Sequence, residues 1–233
     1  IRGMQVHWRD IHALDDRQVA AMIVADGIDI LVDVSGHTRG NRLGVFALRP
    51  AGIQIGWLGY LNTSGMNAID YRLSDSTMDP VGIADRYHSE TLIRLDPAGW
   101  SYRPGDDAPE ITPPPCDANG FVTFGSFNHV AKLNDQVLDC WSEILGRCPG
   151  SRLRVVGVPD APTGGRLATP FLRRGIATTR LHMAGRLSRA EYFAEMGKVD
   201  IALDPFPYCG GATTCECLWM GLPVVALAGN FGF

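Results

Sequence analysis

The stretch "DIALDPFPYCGGATTCECLWMGLPVVAL", residues 200–227, has the pattern of a strand, a helix and a second strand. "DIALDPFPY" predicts a buried strand, "PVVAL" predicts another, and the segment between them predicts a short apolar helix. A turn with two glycines and two threonines leads into that helix. The β–α–β order favours a parallel sheet, and a glycine-rich turn at a helix N-terminus suits an anionic ligand.

The rest of the chain alternates in the same way on both sides of a proline-rich segment. Strand-like runs such as "IDILVDVSG" and "SRLRVVGV" alternate with helical ones such as "RQVAAMIVADG" and "SRAEYFAEMGKV". Residues 96–119 hold six prolines and show little periodicity. We therefore predict two doubly wound α/β domains, residues 1–95 and 120–233, joined by a connector at 96–119. The helix in "GRLATPFLRRGI" is predicted to break or start near Pro170.

Composition and charge exclude several classes of protein. The chain has 233 residues, 45% hydrophobic and 20% charged, with a formal net charge of -4. A slightly acidic chain gives no electrostatic reason to expect a nucleic-acid partner. No apolar run approaches the roughly 18 residues of a membrane span, and the first residues lack a signal-peptide pattern. The chain begins without methionine and stops just after a strand, so we expect a fragment that is incomplete at both ends.

The cysteines predict reduced thiols and a cytoplasmic location. No two of them have the spacing of a zinc site completed by histidine, so we predict no metal. Reduced thiols are typical of cytosolic proteins. The six residues are Cys116, Cys140, Cys148, Cys209, Cys215 and Cys217.

Three loops that follow strands carry candidate binding residues. In "SFNHVAKLND", Lys132 precedes a helix, where its ammonium can bind a phosphate or simply face solvent. In "DPFPYCGGATTCE", the backbone N–H groups of the two glycines, the threonine hydroxyls and Glu216 can hold a diphosphate and a ribose, or the turn can be an ordinary helix cap. In "GRLSRAEYF", Tyr192 can stack on a base or pack in the core. The candidates in the glycine-rich turn are Gly210, Gly211, Thr213 and Thr214.

Several familiar nucleotide and hydrolase motifs are missing from the sequence. G-x-G-x-x-G followed by an acidic residue is absent, which disfavours a dehydrogenase, and so are the P-loop pattern and G-x-S-x-G. These absences leave nucleotide binding without redox or NTPase machinery. Sugar-nucleotide transfer fits, because a departing diphosphate needs positively charged donors and no cofactor.

Longer segments carry a specific resemblance. "GIDILVDVSGHTRGNRLGVFALRPAGIQIGWLGYLNTSGMNAIDYRLSD", "FGSFNHVAKLNDQVLDCWSEILGRCPGSRLRVV" and "LDPFPYCGGATTCECLWMGLPVV" together resemble the catalytic region of the O-linked N-acetylglucosamine transferase/SPINDLY family. The resemblance covers nearly the whole chain. It implies a GT-B glycosyltransferase of bacterial type, with two Rossmann-like domains facing a cleft, an inverting mechanism and no metal. Members usually carry N-terminal tetratricopeptide repeats, which this sequence lacks.

The resemblance also assigns roles in binding the nucleotide-sugar donor. It implies that Lys132 contacts the diphosphate and stabilises the leaving group, and that His129 is a neighbouring donor contact. It further implies that Tyr192 stacks on the base, that Thr213 binds phosphate and that Glu216 holds the ribose.

Two further histidines, His7 and His37, are candidates in the first half of the chain. His7, in "VHWRD", falls on a histidine that lines the sugar pocket in the family. His37, in "SGHTRGNR", follows the first strand and can touch the acceptor or a phosphate, or can bond its local turn.

The resemblance leaves the donor open. Animal members have a His-Thr-Thr run in the glycine-rich loop, whereas this chain has no histidine there, as in the SPINDLY branch that uses GDP-fucose. We expect transfer of N-acetylglucosamine from UDP-GlcNAc to Ser/Thr hydroxyls of proteins. The alternatives are a GDP-fucose-dependent O-fucosyltransferase, a transferase with an asparagine acceptor, and a fragment that binds donor or partner without catalysis.

Overall fold

The computed structural model describes residues 7–99, 102–105 and 108–229. The described residues up to Gly99 belong to a first compact unit, and those from Tyr102 onward to a second. The division falls inside the predicted connector. The bounds 1–95, 96–119 and 120–233 stay predictions.

The first unit is built on a parallel sheet of four strands in the order β1-β2-β3-β4. Helix α1 begins at the capping box of Asp15 and Gln18, and Gly27 follows its end with a φ of 65°. As "RQVAAMIVADG" predicts, this helix ends before that glycine. The elements are α1 (Asp16–Ala25), β1 (Ile30–Asp33), α2 (Leu43–Ala47), β2 (Ile53–Gly56), β3 (Tyr71–Ser74) and β4 (Thr91–Arg94).

The second unit is built on a parallel sheet of five strands in the order β7-β6-β5-β8-β9. The elements are α3 (Pro115–Asn119), β5 (Thr123–Ser126), α4 (Asp135–Arg147), β6 (Arg152–Val156), α5 (Ala161–Arg173), β7 (Leu181–Ala184), α6 (Arg189–Met196), β8 (Ile201–Leu203), α7 (Ala212–Trp219) and β9 (Val224–Val225). The chain first builds outward from β5 to β6 and β7, and then returns to the other side of β5 with β8 and β9. The strand order therefore reverses between β5 and β8.

Apolar side chains of this second sheet pack in two clusters. Helix α4 presents one apolar stripe, because Val137, Leu138, Trp141 and Leu145 recur at helical spacing and are all buried. Phe193 and Met196 of α6 and Cys217 of α7 form the second cluster with Ala202 of β8. Burial of this kind holds parallel strands between layers of helices.

One expectation about an individual element is wrong, and two short helices lie where none is predicted. Helix α5 begins at Ala161, capped by Asp160, and contains Pro170 in its interior instead of breaking or starting there. Leu167 and Phe171, on either side of that proline, are fully buried, so packing outweighs the lost backbone hydrogen bond. Helix α2 lies in a segment for which no helix is predicted. The last five residues of the predicted connector form α3.

Candidate functional site

The reversal of strand order places two polar residues side by side. Asn128 lies two residues beyond β5 and Asp204 directly follows β8, and these strands are hydrogen-bonded neighbours. Both side chains are buried, Asn128 being 3% and Asp204 5% exposed. Open parallel sheets bind their ligands at the carboxyl ends of the strands where the strand order reverses. The second unit therefore has a candidate ligand site at this edge.

Lys132 reaches into this edge from the loop after β5. Its ammonium donates to the carbonyl oxygen of Cys209 at 2.7 Å and to Oδ1 of Asn128 at 3.2 Å, and it lies 4.4 Å from the ring centre of Tyr208. An ammonium has three protons, so a third stays available for a ligand oxygen. Burial lowers the pKa of Lys132, and the charge of Asp204 acts in the opposite direction. A half-buried cation is thereby held beside the glycine-rich turn, and Lys132 does not simply face solvent.

The Asp204 carboxylate accepts the hydrogen bonds that shape the glycine-rich turn. Its Oδ1 accepts from Nδ2 of Asn128 at 2.8 Å. Its Oδ2 accepts from the Gly210 N–H at 3.2 Å and the Thr214 hydroxyl at 3.0 Å. The Gly210 N–H thus points at Asp204, which corrects the expectation that it approaches a ligand.

Gly210 is required for a different reason. A Cβ at this position would overlap the Thr214 hydroxyl and lie 2.9 Å from Oδ1 of Asp204. The absence of a side chain therefore lets the turn close over the carboxylate. Gly211 follows as the residue before α7, without a side-chain cap. The first backbone N–H groups of a helix have no partner within it, so the start of α7 offers donors to an anion.

Tyr192 and Glu216 meet on the adjoining helices α6 and α7. The phenol hydroxyl donates to Oε2 of Glu216 at 2.9 Å. The ring meets Phe127 edge-on at 5.7 Å between ring centres. Tyr192 is partly buried and packs against the core, which matches the alternative that its helical spacing left open. Tyr192, which the resemblance assigns to the base, and Glu216, which it assigns to the ribose, are therefore in direct contact.

His129 lies on the same loop as Lys132 but at the surface. Its Nδ1 accepts from the Ala131 N–H at 3.2 Å and begins the single turn of 3₁₀ helix Val130–Lys132. The sequence-predicted donor residues of the second unit are thus gathered along the loop after β5 and the starts of α6 and α7.

The two candidate histidines of the first unit lie in different settings. Nε2 of His37 lies 2.8 Å from the carbonyl oxygen of Ser64, and its ring meets Tyr60 edge-on. The bond crosses 27 residues, so it is not one to the local turn. A neutral ring that donates through Nε2 accepts through Nδ1. His7 is exposed before α1.

Two buried charged residues, Arg72 and Glu90, hold the loop that His37 contacts. Arg72 donates to the carbonyl oxygens of Tyr60 and Asn62 at 2.6 and 3.1 Å. Glu90 accepts from the backbone N–H of Ser64 at 2.7 Å and also from its hydroxyl. A cavity of about 10 Å³, room for one water molecule, lies between these groups. The loop is therefore fixed in shape beside His37.

Metal ligation has no support among the residues that the structure describes. Within that part of the chain, no three His, Cys, Asp or Glu side chains come together as a metal-binding group. The six cysteines are unpaired thiols. None of the described helices is long and apolar enough to cross a membrane.

Comparison with known proteins identifies the family. The sequence model of glycosyl transferase family 41 matches residues 5–98 and 115–231. The chain belongs to glycosyl transferase family 41. Its relatives include the probable UDP-N-acetylglucosamine–peptide N-acetylglucosaminyltransferase SPINDLY of Oryza sativa subsp. japonica, 41% identical over 96% of this chain and 24% of that protein.

Comparison with solved structures confirms the fold. An O-GlcNAc transferase mutant from Thermobaculum terrenum is 40% identical, with a TM-score of 0.89 over 97% of this chain and 43% of that one. Anabaena HepE in complex with UDP, 15% identical with a TM-score of 0.58, shares the fold. The fold is therefore GT-B, as the resemblance implies. The chain spans about a quarter of the length of the curated relatives it matches.

Sequence reasoning missed two buried residues of this candidate site. Asn128 and Asp204 each stand just beyond a strand, a position that favours ligand-site residues in parallel sheets. That signal was present, but only the pairing of β5 with β8 shows that the two side chains meet.

Proposed function

We propose that this protein transfers N-acetylglucosamine from UDP-N-acetylglucosamine to Ser and Thr hydroxyls of other proteins. The observation that carries the proposal is the half-buried Lys132 ammonium, held at the glycine-rich turn before α7 in a family 41 chain. The curated SPINDLY relatives bear the name of a UDP-N-acetylglucosamine–peptide transferase, which favours this donor over GDP-fucose. The identity of the sugar, N-acetylglucosamine, and the identity of the acceptor, Ser and Thr hydroxyls, are both part of this proposal.

The chemistry needs charge stabilisation at the diphosphate. An acceptor hydroxyl attacks the sugar C1 with inversion and releases its proton to solvent, and the bond from C1 to the diphosphate breaks, so negative charge grows on the leaving oxygens. Lys132, Thr213 and the first N–H groups of α7 supply positive charge and hydrogen-bond donors there. Donors held in place before the reaction need no reorganisation during it. In this proposal no metal or cofactor is required.

The remaining donor contacts follow from the same placement. Glu216, whose Oε2 accepts from Tyr192, holds the ribose hydroxyls, and Tyr192 lies beside the base. His129 borders the diphosphate from the exposed side of its loop. His7 and His37 are the candidates for contacts with the sugar and the acceptor. A cytoplasmic location is part of the proposal and is supported by the unpaired thiols.

Titration calorimetry with UDP, GDP and NAD tests the donor. We expect UDP to bind and Lys132→Ala to weaken it about tenfold or more, because a charge-assisted contact to phosphate is lost. Lys198→Ala is the matched control, since it also removes one lysine charge but lies beyond the end of α6 beside Glu195. GDP binding with the same Lys132 dependence would instead support the O-fucosyltransferase. Binding of NAD alone would contradict the proposal.

Transfer itself needs a separate measurement. Incubation with UDP-N-acetylglucosamine and a Ser/Thr peptide, followed by mass spectrometry, should show a peptide that gains one N-acetylhexosamine. Binding of UDP without transfer or hydrolysis would favour the alternative of an inactive donor-binding protein. Modification of asparagine would change the acceptor but leave the donor site as proposed.

A further inference from the structure

The Asp204 carboxylate is surrounded by hydrogen-bond donors of the protein itself, so it needs no ligand as a partner. Its carboxylate is 5% exposed and accepts from three different partners, Asn128, Gly210 and Thr214. Buried carboxylates are costly unless donors surround them, so such a group is retained for what it holds in place.

The link from Asp204 to Lys132 runs through one side-chain amide. Nδ2 of Asn128 faces the carboxylate, which can only accept, so Oδ1 faces the other way and accepts from the Lys132 ammonium at 3.2 Å. The carboxylate thereby decides which end of the amide Lys132 meets. With the amide reversed, two donors would oppose each other.

The link from Asp204 to the glycine-rich turn uses its second oxygen. Oδ2 accepts from the N–H of Gly210, within the turn, and from the hydroxyl of Thr214, within the first turn of α7. The backbone carbonyl of Cys209, next to Gly210, accepts from Lys132 at 2.7 Å. One carboxylate therefore joins the lysine, the turn and the start of the helix.

We propose that Asp204 is a positioning residue that holds the Lys132 ammonium and the start of α7 in the arrangement a nucleoside diphosphate requires. It acts through Asn128 on one side and through Gly210 and Thr214 on the other, without contacting the donor. The inference rests on the proposed function, because it concerns the same diphosphate site. The charge of Asp204 also opposes the lowering of the pKa of Lys132 that burial causes.

The test compares two buried aspartates. Asp204→Asn replaces the acceptor that faces Asn128, Gly210 and Thr214. Asp75→Asn is the matched control, because Asp75 is 4% exposed and accepts from three backbone N–H groups, but lies in the first unit. By calorimetry with UDP, we expect Asp204→Asn to lower the affinity about tenfold, the usual value of a buried charged hydrogen bond. Asp75→Asn should leave it within about twofold.

A double-mutant cycle separates positioning from general loss of structure. In the Lys132→Ala background, Asp204→Asn should cost clearly less than in the unmodified protein, because the Lys132 ammonium is already gone and only the hold on the start of α7 is left to lose. Asn128→Ala interrupts the link while keeping the carboxylate with Gly210 and Thr214, and should show the same dependence on Lys132. If circular dichroism shows that Asp204→Asn does not fold, Asn128→Ala tests the positioning role in its place.

The possible results discriminate between the inference and the function beneath it. Failure of the unmodified protein to bind UDP would overturn the proposed function and this inference together. Binding by the unmodified protein, with affinity within twofold in a folded Asp204→Asn or Asn128→Ala, would overturn only the inference. Equal losses with and without Lys132 would also overturn it, because the carboxylate would then act on structure in general.

Discussion

The phenol hydroxyl of Tyr192 lies 2.9 Å from the Glu216 carboxylate and donates to it. The contact joins α6 to α7 across 24 residues of sequence. Burial, together with the nearby charge of Glu216, raises the pKa of Tyr192, so the phenol keeps its proton and stays a donor. Glu216 is thereby held in one orientation.

Removal of the Tyr192 hydroxyl tests whether that orientation serves ribose binding. Tyr192→Phe keeps the ring and its edge-on contact with Phe127, but leaves Glu216 without this donor. We expect UDP affinity to fall about three- to tenfold, which corresponds to the net contribution of one typical hydrogen bond. The measurement is titration calorimetry with UDP and with an analogue lacking both ribose hydroxyls.

The analogue provides the decisive comparison for Tyr192. If Glu216 holds the ribose, the loss should vanish for the analogue, which has nothing for Glu216 to accept from. Equal losses with both ligands would contradict the ribose role. Tyr87→Phe, at an exposed position of the first unit, is the control and should change neither affinity.

The Gly210 position should tolerate no side chain. In Gly210→Ala the new methyl group would overlap the Thr214 hydroxyl and lie 3.2 Å from Nδ2 of Asn128. We expect the free energy of unfolding to fall by about 1–3 kcal/mol, the usual cost of overpacking. Gly165→Ala, in α5 with open space around it, is the control and should stabilise by up to about 1 kcal/mol. Urea denaturation measures both, and a neutral Gly210→Ala would show that the turn is not tightly closed.

We expect Glu90 to make a pH-dependent contribution to the stability of the first unit. Burial alone would raise the pKa of Glu90, but donation by Ser64 and Thr63 outweighs it and keeps the pKa below its usual range. The ionised form therefore stabilises the folded state above the ordinary glutamate pKa. This contribution is lost as the pH falls through the lowered value.

Glu90→Gln should consequently destabilise most at neutral pH. We expect a cost of about 1–3 kcal/mol there, because buried donors lose a charged acceptor, and a smaller difference in acid. Denaturation by urea at several pH values measures it. Glu143→Gln, which breaks an exposed pair with Arg147, is the control and should matter little at any pH. A Glu90→Gln effect that grows on acidification would refute the assignment.

Asn134 has two separable roles at the start of α4. Its Oδ1 accepts from the Val137 N–H at 3.0 Å as the helix cap, and its Nδ2 donates to the carbonyl oxygen of Phe206 at 2.8 Å. Asn134→Ala removes both and should cost about 1–2 kcal/mol in the free energy of unfolding. Asn134→Asp keeps the cap and should cost less. If the two variants proved equally unstable in thermal denaturation, the bond to Phe206 would account for the whole effect.

Local patterns predicted most elements because local forces form them. The apolar stripe of α4 and the capping box of Ser188 and Glu191 at α6 are each formed by residues a few positions apart in the chain. The wrong prediction of a helix break at Pro170 has a non-local cause. There a local rule for proline was outweighed by the burial of Leu167 and Phe171, which depends on distant strands.

The sequence by itself determined the strand and helix periodicity, the family and the residue types of a donor site, since each is a property of neighbours along the chain. Tertiary structure alone decided that Asn128 and Asp204 meet, because β5 and β8 are paired across some 75 residues. It likewise decided that the Gly210 N–H faces a carboxylate and that Tyr192 binds Glu216. Hydrogen bonds form between atoms that the fold brings within about 3 Å, and no local pattern encodes that distance.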